Sequence, residues 1–109
     1  GDKVYYCMKC FYVLVHGRLD WSTALSVVNN DGEIFQPAGF YCYRYVLAST
    51  VQNAQEAAFR RVRQNLDKRT GWIKTRSVKL ELEAEDTNPA PIYQLLRPAN
   101  RGHTFYGSE

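Results

Sequence analysis

Two segments of this chain, residues 9–16 (KCFYVLVH) and 40–48 (FYCYRYVLA), lack a polar face. Side chains alternate across a strand, so a strand that lines a core on one side and meets water on the other alternates apolar with polar residues. KCFYVLVH is aromatic and β-branched almost throughout, which predicts a central strand covered on both sides. FYCYRYVLA sets Phe40, Cys42, Arg44 and Val46 on one side and Tyr41, Tyr43, Tyr45 and Leu47 on the other. A sheet built around these two segments has two faces to cover.

The chain offers one strong helix to do so. Val51, Ala54, Ala58 and Val62, with Phe59 and Leu66 beside them, recur at helical spacing. Ser49 stands three residues before Gln52, a capping-box spacing that places the helix start there, and Thr70-Gly71 ends a helix running to about Lys68. Residues 78–84 alternate cleanly, with Val78, Leu80, Leu82 and Ala84 inward and Lys79, Glu81 and Glu83 outward, the pattern of a half-exposed antiparallel strand.

The remaining signals are turns. Asn29-Asn30-Asp31-Gly32 predicts a hairpin with arms at 24–28 and 33–36, a short helix at 23–28 being the rival reading. Residues 37–39 break the chain, 86–91 read as a loop, and 92–96 as a short closing strand. At 109 residues, 45% hydrophobic and 23% charged, the chain is one globular domain. The predicted class is α+β: a mainly antiparallel sheet of four to five strands with one main helix on one face, similar in layout to ferredoxin-like domains with or without their first helix.

Charge is unevenly placed within a net of +3. Residues 51–79 hold eight cations, Arg60, Arg61, Arg63, Lys68, Arg69, Lys74, Arg76 and Lys79, against Glu56 and Asp67, whereas 80–109 hold two cations against five anions. The basic stretch reads as a solvated helix face or as a contact for an acidic partner or nucleic acid. No apolar run approaches the roughly 20 residues that cross a bilayer, and no signal-peptide pattern opens the sequence, so a cytoplasmic protein without membrane contact is expected.

Residues 39–48, Gly39-Phe40-Tyr41-x-x-Arg44-x-Val46-x-Ala48, lead into an Ala-rich helix, and Phe105-Tyr106 stands near the end. In these features the chain resembles a family of small bacterial proteins of similar length that has no assigned function. Such proteins open with a hydrophobic strand like CFYVLV and carry an acidic-aliphatic strand after the helix. Cys42-Tyr43 and Gly107-Ser108 depart from that pattern. The resemblance implies a fold and no activity.

Several constellations invite chemistry. Cys7-x-x-Cys10 has the spacing of a zinc knuckle or redox pair, with Cys42 and His16 as further ligands. A structural zinc needs two such pairs, however, and residues three apart on a strand point to opposite faces, so the cysteines read as buried hydrophobes. His16 and Asp20 near Trp21, or His103, could serve as acid and base at a pocket near His16. With no nucleophile elbow and no phosphate-cradling glycine loop, a non-catalytic protein without cofactor or bound metal is expected.

Partner recognition follows from the two-faced sheet. One helix covers one face, so a second body must cover the other, which predicts a homodimer or protein partner seated on Tyr41, Tyr43 and Tyr45. The terminal segment with Trp72, Tyr93 and Phe105 folding over that face would instead leave a monomer. The alternative is single-stranded nucleic-acid binding, bases stacking on the same tyrosines while Arg60 and Arg63 meet phosphates.

Overall fold

The fold comes from a computed structural model that describes residues 8–22, 36–97 and 102–107. The elements run β1 (Lys9–Trp21), β2 (Gly39–Ala48), α1 (Val51–Thr70), β3 (Val78–Pro89), a 3₁₀ turn (Ile92–Leu96) and β4 (Thr104–Tyr106). They form one antiparallel four-stranded sheet in the order β3-β1-β2-β4, with α1 packed on one face. This is the expected α+β class. The hairpin predicted at 24–36 falls largely on residues outside those described.

The strand without a polar face is central, as its composition requires, and extends to Trp21. β2 and β3 both run antiparallel to β1 and flank it, so β2-α1-β3 is a split β-α-β unit of the kind ferredoxin-like domains use. Those domains have two helices; the described residues contain one α-helix.

Its apolar stripe explains where α1 sits. Ala54, Ala58, Val62 and Leu66 are buried against Phe11, Val13, Val15, Phe40, Cys42, Val46, Val78 and Leu80. The two alanines let the backbone approach the sheet closely. Val51, counted in the stripe, is half exposed because it opens the first turn beyond the sheet's end. Thr50, not Ser49, is the N-cap: its hydroxyl accepts from the Asn53 N–H at 3.1 Å, while Ser49 Oγ accepts from the Asn53 side chain. Gly71 closes the helix at φ 73°, its N–H donating to the Asp67 carbonyl at 2.7 Å.

Two further readings are corrected. Asp86 to Pro89 continue β3 instead of forming a loop, because β1 is long enough to pair with them. Residues 92–96 form a 3₁₀ turn, and the closing strand is Thr104–Tyr106 on the β2 edge.

Arg44 is the polar group in this core. It lies on the helix side of β2, fully buried, and its partners among the described residues are neutral. It donates to the Tyr43 carbonyl (2.8 Å), the Gly102 carbonyl (3.0 Å) and Asn65 Oδ1 (3.3 Å), with His103 Nε2 at 3.4 Å. Burial lowers its pKa, and the hydrogen-bonded fork of the guanidinium holds the charge in place. Arg61 donates to the Tyr45 carbonyl and Arg63 to the Leu80 carbonyl. Arginines thus occupy carbonyls on β3 and on the part of β2 that β4 does not pair, a guard against unwanted strand pairing.

Candidate functional site

The face opposite α1 is aromatic. The register sets Tyr12 beside Tyr45, Leu14 beside Tyr43 and His16 beside Tyr41, and β4 adds Tyr106. Cross-strand neighbours on one face lie within reach of one another, so the rings form a ladder in two groups. Tyr45, Tyr12 and Tyr43 stand 5.6 to 5.9 Å apart in centroid, and farther along the sheet His16 stacks on Tyr41 at 4.5 Å with Tyr106 at 5.6 Å from Tyr41. Tyr41, Tyr43 and Leu47 remain 45%, 36% and 41% exposed. Burial by its neighbours raises the Tyr12 pKa, keeping the ring neutral.

One end of the face is capped. Cys10 shares its register position with Leu47 and is nevertheless buried, and the 3₁₀ turn that follows β3 reaches both β1 and β2. Tyr93 in that turn is largely exposed. Trp72 and Phe105, both candidates for covering the tyrosines, pack on the helix side: Trp72 meets Trp21 at 4.9 Å and Phe105 at 5.9 Å, and Phe105 meets Phe40. Among the described residues no long element roofs Tyr41, Tyr43 and Tyr45.

At the other end His16 is held on both ring nitrogens. Nε2 lies 2.5 Å from the Tyr106 hydroxyl, and Nδ1 lies 3.3 Å from Glu83 Oε1 and 3.6 Å from Glu85 Oε1. The contact with His16 holds the Glu83 carboxyl below the usual carboxylate range. A shallow groove of about 190 Å³ opens beside this cluster, between His16, Arg18, Glu81 and Glu83. Asp20 lies four positions farther along β1, about 13 Å at the rise of an extended strand, and is not part of the cluster.

A β-bulge builds this end. Val15 pairs with Ala84 and Leu14 with Asp86, leaving Glu85 without an opposite number. The extra residue returns two consecutive acids to the same face, so Glu83, Glu85 and Asp86 all border the aromatic ladder. Their outward alternation is visible in sequence as far as Glu83; the bulge is not. Tyr12, Tyr106, Glu83 and Glu85 join Tyr41, Tyr43 and Tyr45 only through strand register.

The predicted cations lie elsewhere. Arg60, Arg61 and Arg63 project from α1, on the other layer, and Arg61 and Arg63 reach strand carbonyls. The structure therefore does not bring Arg60 and Arg63 onto the tyrosine face, whose β3 border is acidic. Cys10 and Cys42 are both buried with free thiols; Cys42 belongs to the helix-side core, whereas Cys10 lies outside it. Burial pushes the Cys42 thiol up to about 11 against the pull of Arg44, and burial also raises Cys10, so neither is a reactive thiolate. Cys7 falls outside the described residues.

His103 lines a second groove, of about 360 Å³, with Leu14, Tyr41 and Tyr43. Burial first, then Arg44 and Arg69, depress its pKa to about 4. It is neutral at physiological pH and presents Nε2 to Arg44. No helix among the described residues is long and apolar enough to cross a membrane.

Comparison with protein-family models, curated proteins and solved structures gave no match.

Proposed function

We propose that this protein is a small non-catalytic interaction domain that self-associates through its open sheet face. The observation that carries this reading is the pair of ring clusters, Tyr45-Tyr12-Tyr43 and His16-Tyr41-Tyr106, on the layer that α1 does not cover. A contiguous aromatic surface is a contact surface more often than bare protein, and tyrosine suits it because ring and hydroxyl tolerate both states.

Charge selects the arrangement. A two-fold axis across the strands would lay β3 on β3 and set Glu83, Glu85 and Asp86 against their own copies. An axis along the strands lays β3 of one copy over the β2 side of the other, where Arg61 reaches the Tyr45 carbonyl. The second arrangement, with sheets crossed at about 30°, brings tyrosines together and keeps the acids apart.

Size-exclusion chromatography with light scattering tests the reading. The protein should elute at twice the chain mass, and Tyr43→Asp, which places an unpaired charge in the contact, should elute as a folded monomer. A wild-type monomer at high concentration would overturn the proposal. Retention of mixed single-stranded oligonucleotides on filters, falling steeply with salt, would put nucleic-acid binding in its place. That alternative has less support, since Arg60 and Arg63 stand on the opposite layer from the tyrosines.

A further inference from the structure

We propose that His16, Glu83 and Glu85 bind a divalent transition-metal cation, through Nδ1 of the imidazole and one oxygen from each carboxylate. The three ligand atoms lie within 4.8 Å of one another. Zinc holds nitrogen and oxygen ligands at about 2.0–2.2 Å, so adjacent ligand atoms in a tetrahedral site stand about 3.4 Å apart. His16 Nδ1 lies 3.3 Å from Glu83 Oε1 and 3.6 Å from Glu85 Oε1, already close to that separation.

The imidazole is oriented from behind. Tyr106 Oη meets Nε2, and when Nε2–H donates to that oxygen the Nδ1 lone pair points at the two carboxylates. Three acceptors then face one another, and a metal ion between them would satisfy all three. The β-bulge adds negative charge by gathering Asp86 onto the same border. The ring is firmly seated, with its side chain 13% exposed and stacked on Tyr41, while Glu83 and Glu85 are open enough to admit an ion from solvent.

Imidazole with carboxylates favours zinc or a neighbouring transition metal over magnesium. Three protein ligands leave a fourth position for water. The site depends on β1, β3 and β4 of a single chain and does not rest on self-association.

Titration calorimetry of the full chain with zinc chloride should show one saturable site, with magnesium chloride giving none. His16→Ala and Glu85→Gln should each weaken zinc binding at least tenfold, and Tyr106→Phe, which removes only the outer oxygen, by about tenfold. Cobalt(II) should give d–d absorption bands without thiolate-to-metal charge transfer, which distinguishes these ligands from Cys7 and Cys10. Far-UV circular dichroism confirms that each variant is folded; if His16→Ala does not fold, Glu85→Gln, whose side chain is exposed, decides. Absence of zinc binding, binding indifferent to Glu85→Gln, or a thiolate band with cobalt would each overturn the proposal.

Discussion

Tyr106 crosses β2 above Gly39 to set its hydroxyl on His16, two strands away. Gly39 pairs with both Tyr106 and Arg18, and a side chain there would occupy the space of the Tyr106 hydroxyl and press on the Gly17 carbonyl. The glycine is needed for close approach rather than for an unusual backbone angle.

Gly39→Ala should therefore displace the Tyr106 ring and lower stability by about 1–3 kcal/mol, the usual cost of overpacking. Tyr106→Phe keeps the ring and removes one hydrogen bond, so its cost should be about 0.5–1.5 kcal/mol. Urea unfolding of both variants checks the order of the two effects.

Gly17 serves the opposite face in the same way. It pairs with Phe40, whose fully buried ring lies where a Cβ at position 17 would project. Gly17→Ala should cost about 1–3 kcal/mol, and the loss should be non-additive with Phe40→Leu, which vacates part of that space. A double-mutant cycle by thermal unfolding measures the coupling.

How much of this was legible in sequence differs by residue. The division of residues 40–48 into a Phe40–Arg44 side and a Tyr41–Tyr45 side follows from strand alternation, and α1 could be placed because its period and its Gly71 terminus are local signals. Register is not local. Nothing in the spacing of His16, Glu83 and Glu85, nor of Tyr106, says that a bulge opposite Leu14 and Val15 will bring them together. The fate of Arg44 was hidden for a related reason: a cation on an apolar side reads as an anomaly until Gly102 and Asn65 arrive from distant chain to satisfy it. Trp72 and Phe105 were equally ambiguous, since aromatic content alone does not choose a face.

His103 gives the fold a pH dependence. Its pKa is about 4 in the folded protein against an ordinary 6.5, because burial, Arg44 and Arg69 all oppose a further positive charge. The folded state thus binds fewer protons than the unfolded chain between these values. Its contribution is fully present above pH 6.5 and is lost as pH falls toward 4, by about 1–2 kcal/mol given the ring's partial exposure. His103→Gln, which cannot titrate but keeps an acceptor for Arg44, should flatten the decline in unfolding midpoint between pH 7 and pH 5.

Thr50 and Ser49 separate a sequence rule from its structural outcome. Both hydroxyls stand at the start of α1, and the capping-box spacing to Gln52 favours Ser49. In the fold Thr50 has the extended backbone of an N-cap, φ −136° and ψ 162°, and its Oγ1 accepts the Asn53 N–H. Ser49 Oγ receives the Asn53 side chain, at 3.3 Å and exposed to solvent. An orphan backbone donor at a helix end is costly to leave unmet, whereas a side-chain amide in water finds other partners. Thr50→Ala should accordingly destabilise the protein by about 1 kcal/mol, and Ser49→Ala by no more than about 0.5 kcal/mol. A larger loss for Ser49→Ala than for Thr50→Ala in parallel urea titrations would place the cap one residue earlier, as the spacing to Gln52 suggests.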